Sequence, residues 1–152
     1  MKSVSSSKRW IVAAVAAVVW AGALFSDGLR ADDAKPDEWN APARAARKKN
    51  PIAADDKSLG VGKEVYTKQC FSCHGQRGKG DGPAAKDLNP KPHDLGTPAV
   101  VAQTDGALFW KITEGKKPMP SFEKLTTEDE RWHVVNYVRT FAPPQAATQP
   151  AH

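Results

Sequence analysis

The apolar positions of this chain fall into one unbroken run and three spaced patterns. Ile11 to Phe25 carries no charge and follows Lys2, Lys8 and Arg9, the order of the basic and apolar regions of an export signal. At about 1.5 Å per residue this run spans roughly 22 Å, short of the ~30 Å hydrocarbon core of a bilayer. A cleaved signal over residues 1–31 is therefore favoured over an anchor. An uncleaved segment would leave the remainder outside the cell membrane, since the positive residues precede the apolar ones, and would attach the protein through residues 10–25. The spaced patterns predict helices. The first starts with Ser58 as N-cap and places Leu59, Gly62, Val65, Tyr66 and Gln69 on one stripe. The second follows Asp105, carries Leu108, Phe109 and Ile112, and stops at Gly115 and Pro118. The third opens on a Thr127/Glu130 capping box and continues through Val134, Tyr137, Val138 and Phe141. No segment alternates as a strand does, so the compact part is predicted to be all-α.

Between the first and second helices, Gly75 to Gln103 is punctuated by glycine and proline with little periodicity. Structureless loops beyond about 15 residues are uncommon inside a compact domain, and three short helices make a poor core. Something besides side chains has to fill the middle. Residues 32–57, rich in Ala, Asp, Lys and Pro with a basic cluster at Arg44, Arg47, Lys48 and Lys49, are expected to be a flexible linker or arm. Residues 58–142 form the expected domain, and residues 143–152 a disordered tail.

Charge and cysteine count narrow the chemistry. The 152 residues carry a net charge of +5. Residues 1–31 hold +3 of it, through Lys2, Lys8, Arg9 and Arg30 against Asp27. The remainder is nearly neutral, so a nucleic-acid partner loses its support. Two cysteines exclude a disulfide-dense scaffold and a four-cysteine zinc or iron–sulfur site.

Those two cysteines stand in Cys70-Phe71-Ser72-Cys73-His74. This C-x-x-C-H spacing is the attachment signature of haem c. Residues i and i+3 on a helical turn face one way, so both thiols reach the two vinyl groups of one porphyrin. His74 follows as the proximal iron ligand. A thioredoxin-like pair would need alternating βα units. A structural disulfide gives the histidine no role, and zinc would need a paired ligand motif beyond His93 or His133.

With Gly75 and the run Gly78-Lys-Gly-Asp-Gly-Pro83 added, residues 59–142 resemble the class I, monohaem bacterial cytochromes c. The resemblance implies three main helices and long Gly/Pro loops around one covalent haem. It implies that the Pro83 carbonyl accepts from His74 Nδ1, and that Gly62 and Tyr66 pack against Val134 and Tyr137. It also implies a methionine as sixth ligand. Beyond Met1 the only methionine is Met119, in Lys117-Pro-Met-Pro-Ser-Phe122; His93 is the runner-up ligand. Phe71, Phe109, Trp110, Phe122 and Trp132 are expected in the haem pocket or helix contacts.

A haem with two protein ligands has no open position, which leaves one-electron exchange and no catalytic residue. The expected protein is a periplasmic or membrane-tethered electron carrier whose partners are redox proteins, with Arg77, Lys79, Lys86, Lys91, Lys116 and Lys117 as a candidate rim for an acidic one. The alternatives are an electron-entry subunit of a larger membrane oxidoreductase and, if Met119 does not bind iron, an open-site haem sensor or peroxidase-like enzyme.

Overall fold

The computed structural model describes residues 39–144; the apolar run at 11–25 and the tail beyond Pro144 lie outside them. Six helices follow in order: α1 (Ala43–Ala46), α2 (Asp56–Gln69), α3 (Phe71–His74), α4 (Pro98–Val101), α5 (Asp105–Glu114) and α6 (Glu128–Arg139). The described residues include no strand; one isolated bridge pairs Lys116 with Met119. None of these helices is long and apolar enough to cross a membrane.

The three longer helices form where the hydrophobic spacing places them, and their starts are set by side-chain caps. Thr127 accepts from the Glu130 amide while Glu130 accepts from the Thr127 amide, completing the capping box at α6. Thr104 caps α5 through the Ala107 amide. At α2 the cap is Asp55, not Ser58. Either residue type satisfies the orphan amides of a first turn, but Ser58 faces inward. It is 1% exposed and its hydroxyl meets His133 Nδ1 at 2.8 Å.

Helices α2 and α6 cross closely. A Cβ on Gly62 would overlap the His133 carbonyl oxygen and crowd Tyr137 Cβ, so only glycine permits the approach. Beside this crossing, Val65, Tyr66, Val134 and Val138 form one buried cluster, backed by Val61, Tyr137 and Phe141. A second cluster joins α5 to α6 through Leu108, Phe109, Trp132 and Val135, with the Phe109 and Trp132 rings stacked 3.9 Å apart at 15°. Half-buried Ile112 packs against both clusters. Arg139 fastens the far end of α6 by donating to Asp105 at 2.7 Å and to the Val101 and Gln103 carbonyls.

Two stretches expected to lack structure have some. Residues 39–57 do not behave as a free arm. Ile52 packs on the second cluster. Asn50 donates to Asn136 Oδ1 at 2.8 Å and to the Trp132 carbonyl, and Asn136 donates back to the Ile52 and Ala53 carbonyls and to Ser58. Thr104 donates to the Ala46 carbonyl, which seats α1 on α5. Composition alone concealed this, because two asparagines can satisfy a buried main chain that few apolar residues cover. Within Gly75–Gln103, a 3-10 turn at Ala85–Asp87 and α4 break the loop into short spans.

The helix crossing gives a matched pair of predictions. Gly62→Ala forces α2 and α6 apart and is expected to cost about 1–3 kcal/mol or more. Gly60→Ala, where nothing lies within 4 Å of the new methyl, is expected to stabilise by about 0.5–1 kcal/mol through helix propensity. Urea unfolding of the two variants beside the wild type checks both signs.

Candidate haem-binding site

The chain turns at the end of α2 through one further helical turn. The amides of Cys73 and His74 donate to the Cys70 carbonyl at 3.1 and 2.9 Å, and Gly75 to that of Phe71 at 2.9 Å. Cys70 and Cys73 therefore sit one turn apart on a common side, with His74 next to them. Both thiols are free and half-buried.

The last carbonyls of a helix have no partner within it, and here the glycine-rich loop supplies them. Gly80 donates to the His74 carbonyl, Gly82 to that of Cys73 and Ala84 to that of Ser72. A Cβ on Gly82 would collide with the Ser72 and Phe71 carbonyl oxygens, which is why this position of the Gly-x-Gly-Asp-Gly-Pro run is glycine. From the core side, the buried Tyr66 hydroxyl donates to the Gly75 carbonyl at 2.7 Å. Burial above all keeps that hydroxyl protonated. The Cys70–Gly75 turn is thus held on two sides by hydrogen bonds.

Electrostatics at the turn suit neutral groups. Burial, with a smaller push from Cys73, raises the Cys70 thiol to about 12. Burial lowers His74 below the ordinary histidine range; a hydrogen bond to the His93 backbone opposes this in part, and the charge of His93 adds to it. His74 Nδ1 is buried with no hydrogen-bond partner. The Pro83 carbonyl, expected to accept from it, does not. The hydrogen bonds of the run go to the main-chain carbonyls of the turn.

A narrow cleft of about 10 Å³ lies against Cys70, lined also by Val65, Ile112, Phe122, Arg131 and Val134. Met119 is half-buried in the loop that leads from α5 towards Phe122. That loop is pinned to α5 where Ser121 donates to the Thr113 carbonyl at 2.6 Å and Phe122 to that of Ile112 at 3.2 Å. Of the five expected aromatics, Phe109, Phe122 and Trp132 are buried, Trp110 is half-buried and Phe71 is 39% exposed. Arg77, Lys79, Lys86, Lys91, Lys116 and Lys117 are all exposed.

Sequence reasoning passed over two residues here. Tyr66 was legible as a packing aromatic, but its hydroxyl contact with Gly75 was not. Arg131 is 7% exposed and had one visible signal: it follows three acids in the first turns of a helix, where the helix dipole disfavours a cation.

The donor set fits a covalently held haem. Two thiols one turn apart precede an imidazole that burial keeps neutral, and one imidazole nitrogen is buried without a partner. The family to which the chain compares agrees. Residues 58–138 match the family described as cytochrome c oxidase, cbb3-type, subunit III. A chain of a reducing HAO-like protein complex from Kuenenia stuttgartiensis is 29% identical with a TM-score of 0.54, over 61% of this chain and 47% of its own. The present chain thus spans about half the length of that relative. A c-type cytochrome is 25% identical with a TM-score of 0.48, over 54% of this chain and 98% of its own. Cytochrome cL from the marine methylotrophic bacterium Methylophaga aminisulfidivorans is 23% identical with a TM-score of 0.46, over 64% and 70%. No curated protein matches the chain.

The lowered His74 value has a consequence for stability. Below about pH 6.5 the unfolded chain takes up a proton that the folded chain resists. Stability is expected to rise with pH through the window just below that value and to level off above it, where both states are neutral. Urea midpoints of the haem-free chain over roughly pH 5 to 8 should show this limb with His74 present and a flatter one in His74→Gln. Equal slopes would contradict the assignment.

Proposed function

We propose that this chain, which belongs to the family described as cytochrome c oxidase, cbb3-type, subunit III, and so serves electron transfer as a haem protein of the all-α cytochrome c fold, is a one-haem carrier of single electrons between redox proteins. The observation that carries this reading is the Cys70–His74 turn, with two thiols on one side and beside them a half-buried imidazole that burial holds below the ordinary histidine range. Cys70 and Cys73 would hold the porphyrin through thioether bonds. His74 would bind the iron on one face and Met119 on the other. When bound, the haem supplies reversible exchange of one electron between ferric and ferrous iron.

The protein's own part is to hold and shield. Tyr66 and the amides of Gly80, Gly82 and Ala84 fix the main chain of the turn, so His74 keeps one orientation in both oxidation states. The bonds from Ser121 and Phe122 to α5 present Met119 from a constrained loop. The buried Phe109, Phe122 and Trp132 keep water from the interior, and methionine ligation with burial would favour the ferrous state. We place the protein outside the cytoplasm, because the Lys2–Phe25 segment reads as an export signal.

The arm bearing Arg44, Arg47, Lys48 and Lys49 is seated on α5 by Thr104, with all four cations exposed, a positive surface that would steer an acidic redox partner whether the chain works as a free carrier or as a subunit of a larger complex.

Met119→Ala gives the direct test of the iron site. The variant is expected to lose the charge-transfer band between methionine sulfur and ferric iron, to fall in reduction potential, and to bind carbon monoxide rapidly when reduced. A wild-type protein that already lacks the band and binds carbon monoxide rapidly would replace the carrier with an open-site sensor or peroxidase-like enzyme.

A further inference from the structure

Among the described residues Arg131 is the one buried cation, at 7% exposure, and its environment is unusual for a charge. No carboxylate among the described residues lies within ion-pairing distance of it; the ion pair of this core is Arg139 with Asp105. The nearest acid along the helix, Glu130, is bound to the Thr127 amide. Arg131 Nη1 instead donates to neutral oxygens: the Thr126 carbonyl at 2.6 Å and the Phe122 and Glu123 carbonyls at 3.3 Å. Its guanidinium lies 5.3 Å from the centre of the Phe109 ring. Its Nε is buried and has no partner. A buried charge left without a counter-ion is costly, and carbonyl dipoles and an aromatic face offset that only in part.

The location gives the cost a purpose. Arg131 and Cys70 line the same narrow cleft. The carbonyls it grips belong to the Phe122–Thr126 turn, three residues beyond Met119. That turn is fixed to α5 on one side by the Phe122 amide and to α6 on the other by Arg131. One side chain therefore ties the end of the Met119 loop to the last helix and brings a buried cation to the cleft that Cys70 also lines.

We propose that Arg131 is a positioning residue of the iron site with two separable effects, anchoring the Met119 loop through its hydrogen bonds and favouring ferrous iron through its charge. The second effect follows from Coulomb's law. Accepting one electron from a donor protein lowers the charge of the iron site by one, and a nearby buried cation favours the state of lower positive charge. The inference rests on Met119 and His74 being the axial ligands.

Three variants of the haem-loaded full chain separate the effects: Arg131→Met and Arg131→Gln remove the charge and the grip, while Arg131→Lys keeps the charge and loses most of the grip. In the first two, the ferrous-to-ferric ratio at a fixed ambient potential is expected to fall about three- to tenfold (~59 mV per tenfold for one electron). Their methionine charge-transfer band is expected to disappear at lower urea than in the wild type. Arg131→Lys should keep the wild-type ratio within about twofold and share the early loss of the band. Wild-type ratios and wild-type band stability in all three would overturn the proposal. So would failure of all three to attach haem, which would assign Arg131 to folding and not to the iron site. A wild-type protein without the band would instead remove the Met119 reading, and the ratio measured in Arg131→Met would still decide the effect of the charge.

Discussion

The close crossing of α2 and α6 at Gly62 is the contact on which the rest of the site depends, because α2 delivers the Cys70–His74 turn and α6 is the surface it rests on. With the Gly62 Cα against the His133 carbonyl, Tyr66 comes within 5.3 Å of Tyr137 and 5.2 Å of Phe141, ring to ring. The same approach leaves the Tyr66 hydroxyl at the Gly75 carbonyl. A wider crossing would free the hydroxyl and the turn together. Packing and site geometry are here one constraint, expressed through a single missing methyl.

Polar groups do work that a small chain lacks the apolar residues to do. Asn136, 5% exposed on the inner side of α6, gathers Asn50, Ser58 and the carbonyls of Ile52 and Ala53 into one network. Each bond adds modestly, but leaving any of these buried groups unmade would cost about 1–3 kcal/mol. The network therefore specifies where residues 50–58 must lie. It also converts residues 39–55 from a tether into part of the fold, so the basic cluster at 44–49 has a defined position relative to α5.

How much of this was legible in the sequence depended on whether the signal was local. The three longer helices announced themselves through spacing, and among their caps the Thr127/Glu130 box was readable residue by residue. Cys70, Cys73 and His74 were legible because one helical turn is short enough for spacing to fix geometry. Contacts between distant residues were not. Ser58 looked like a cap because serine caps helices, and nothing nearby in sequence revealed His133 and Asn136 across the core. The His74 Nδ1 atom stays buried without a partner, which no local spacing could have shown. Arg131 was visible as an oddity, a base among acids, without any hint of the carbonyls it would meet.

The central claim is that one porphyrin is bonded to Cys70 and Cys73 of each chain. Iron and haem content of the exported protein, measured after denaturation and removal of free porphyrin, bears on it most directly. One haem and one iron should remain with each wild-type chain under denaturing conditions, and none with the Cys70→Ala, Cys73→Ala double variant. A wild-type chain that releases its haem on denaturation, or a double variant that retains it, would contradict the claim.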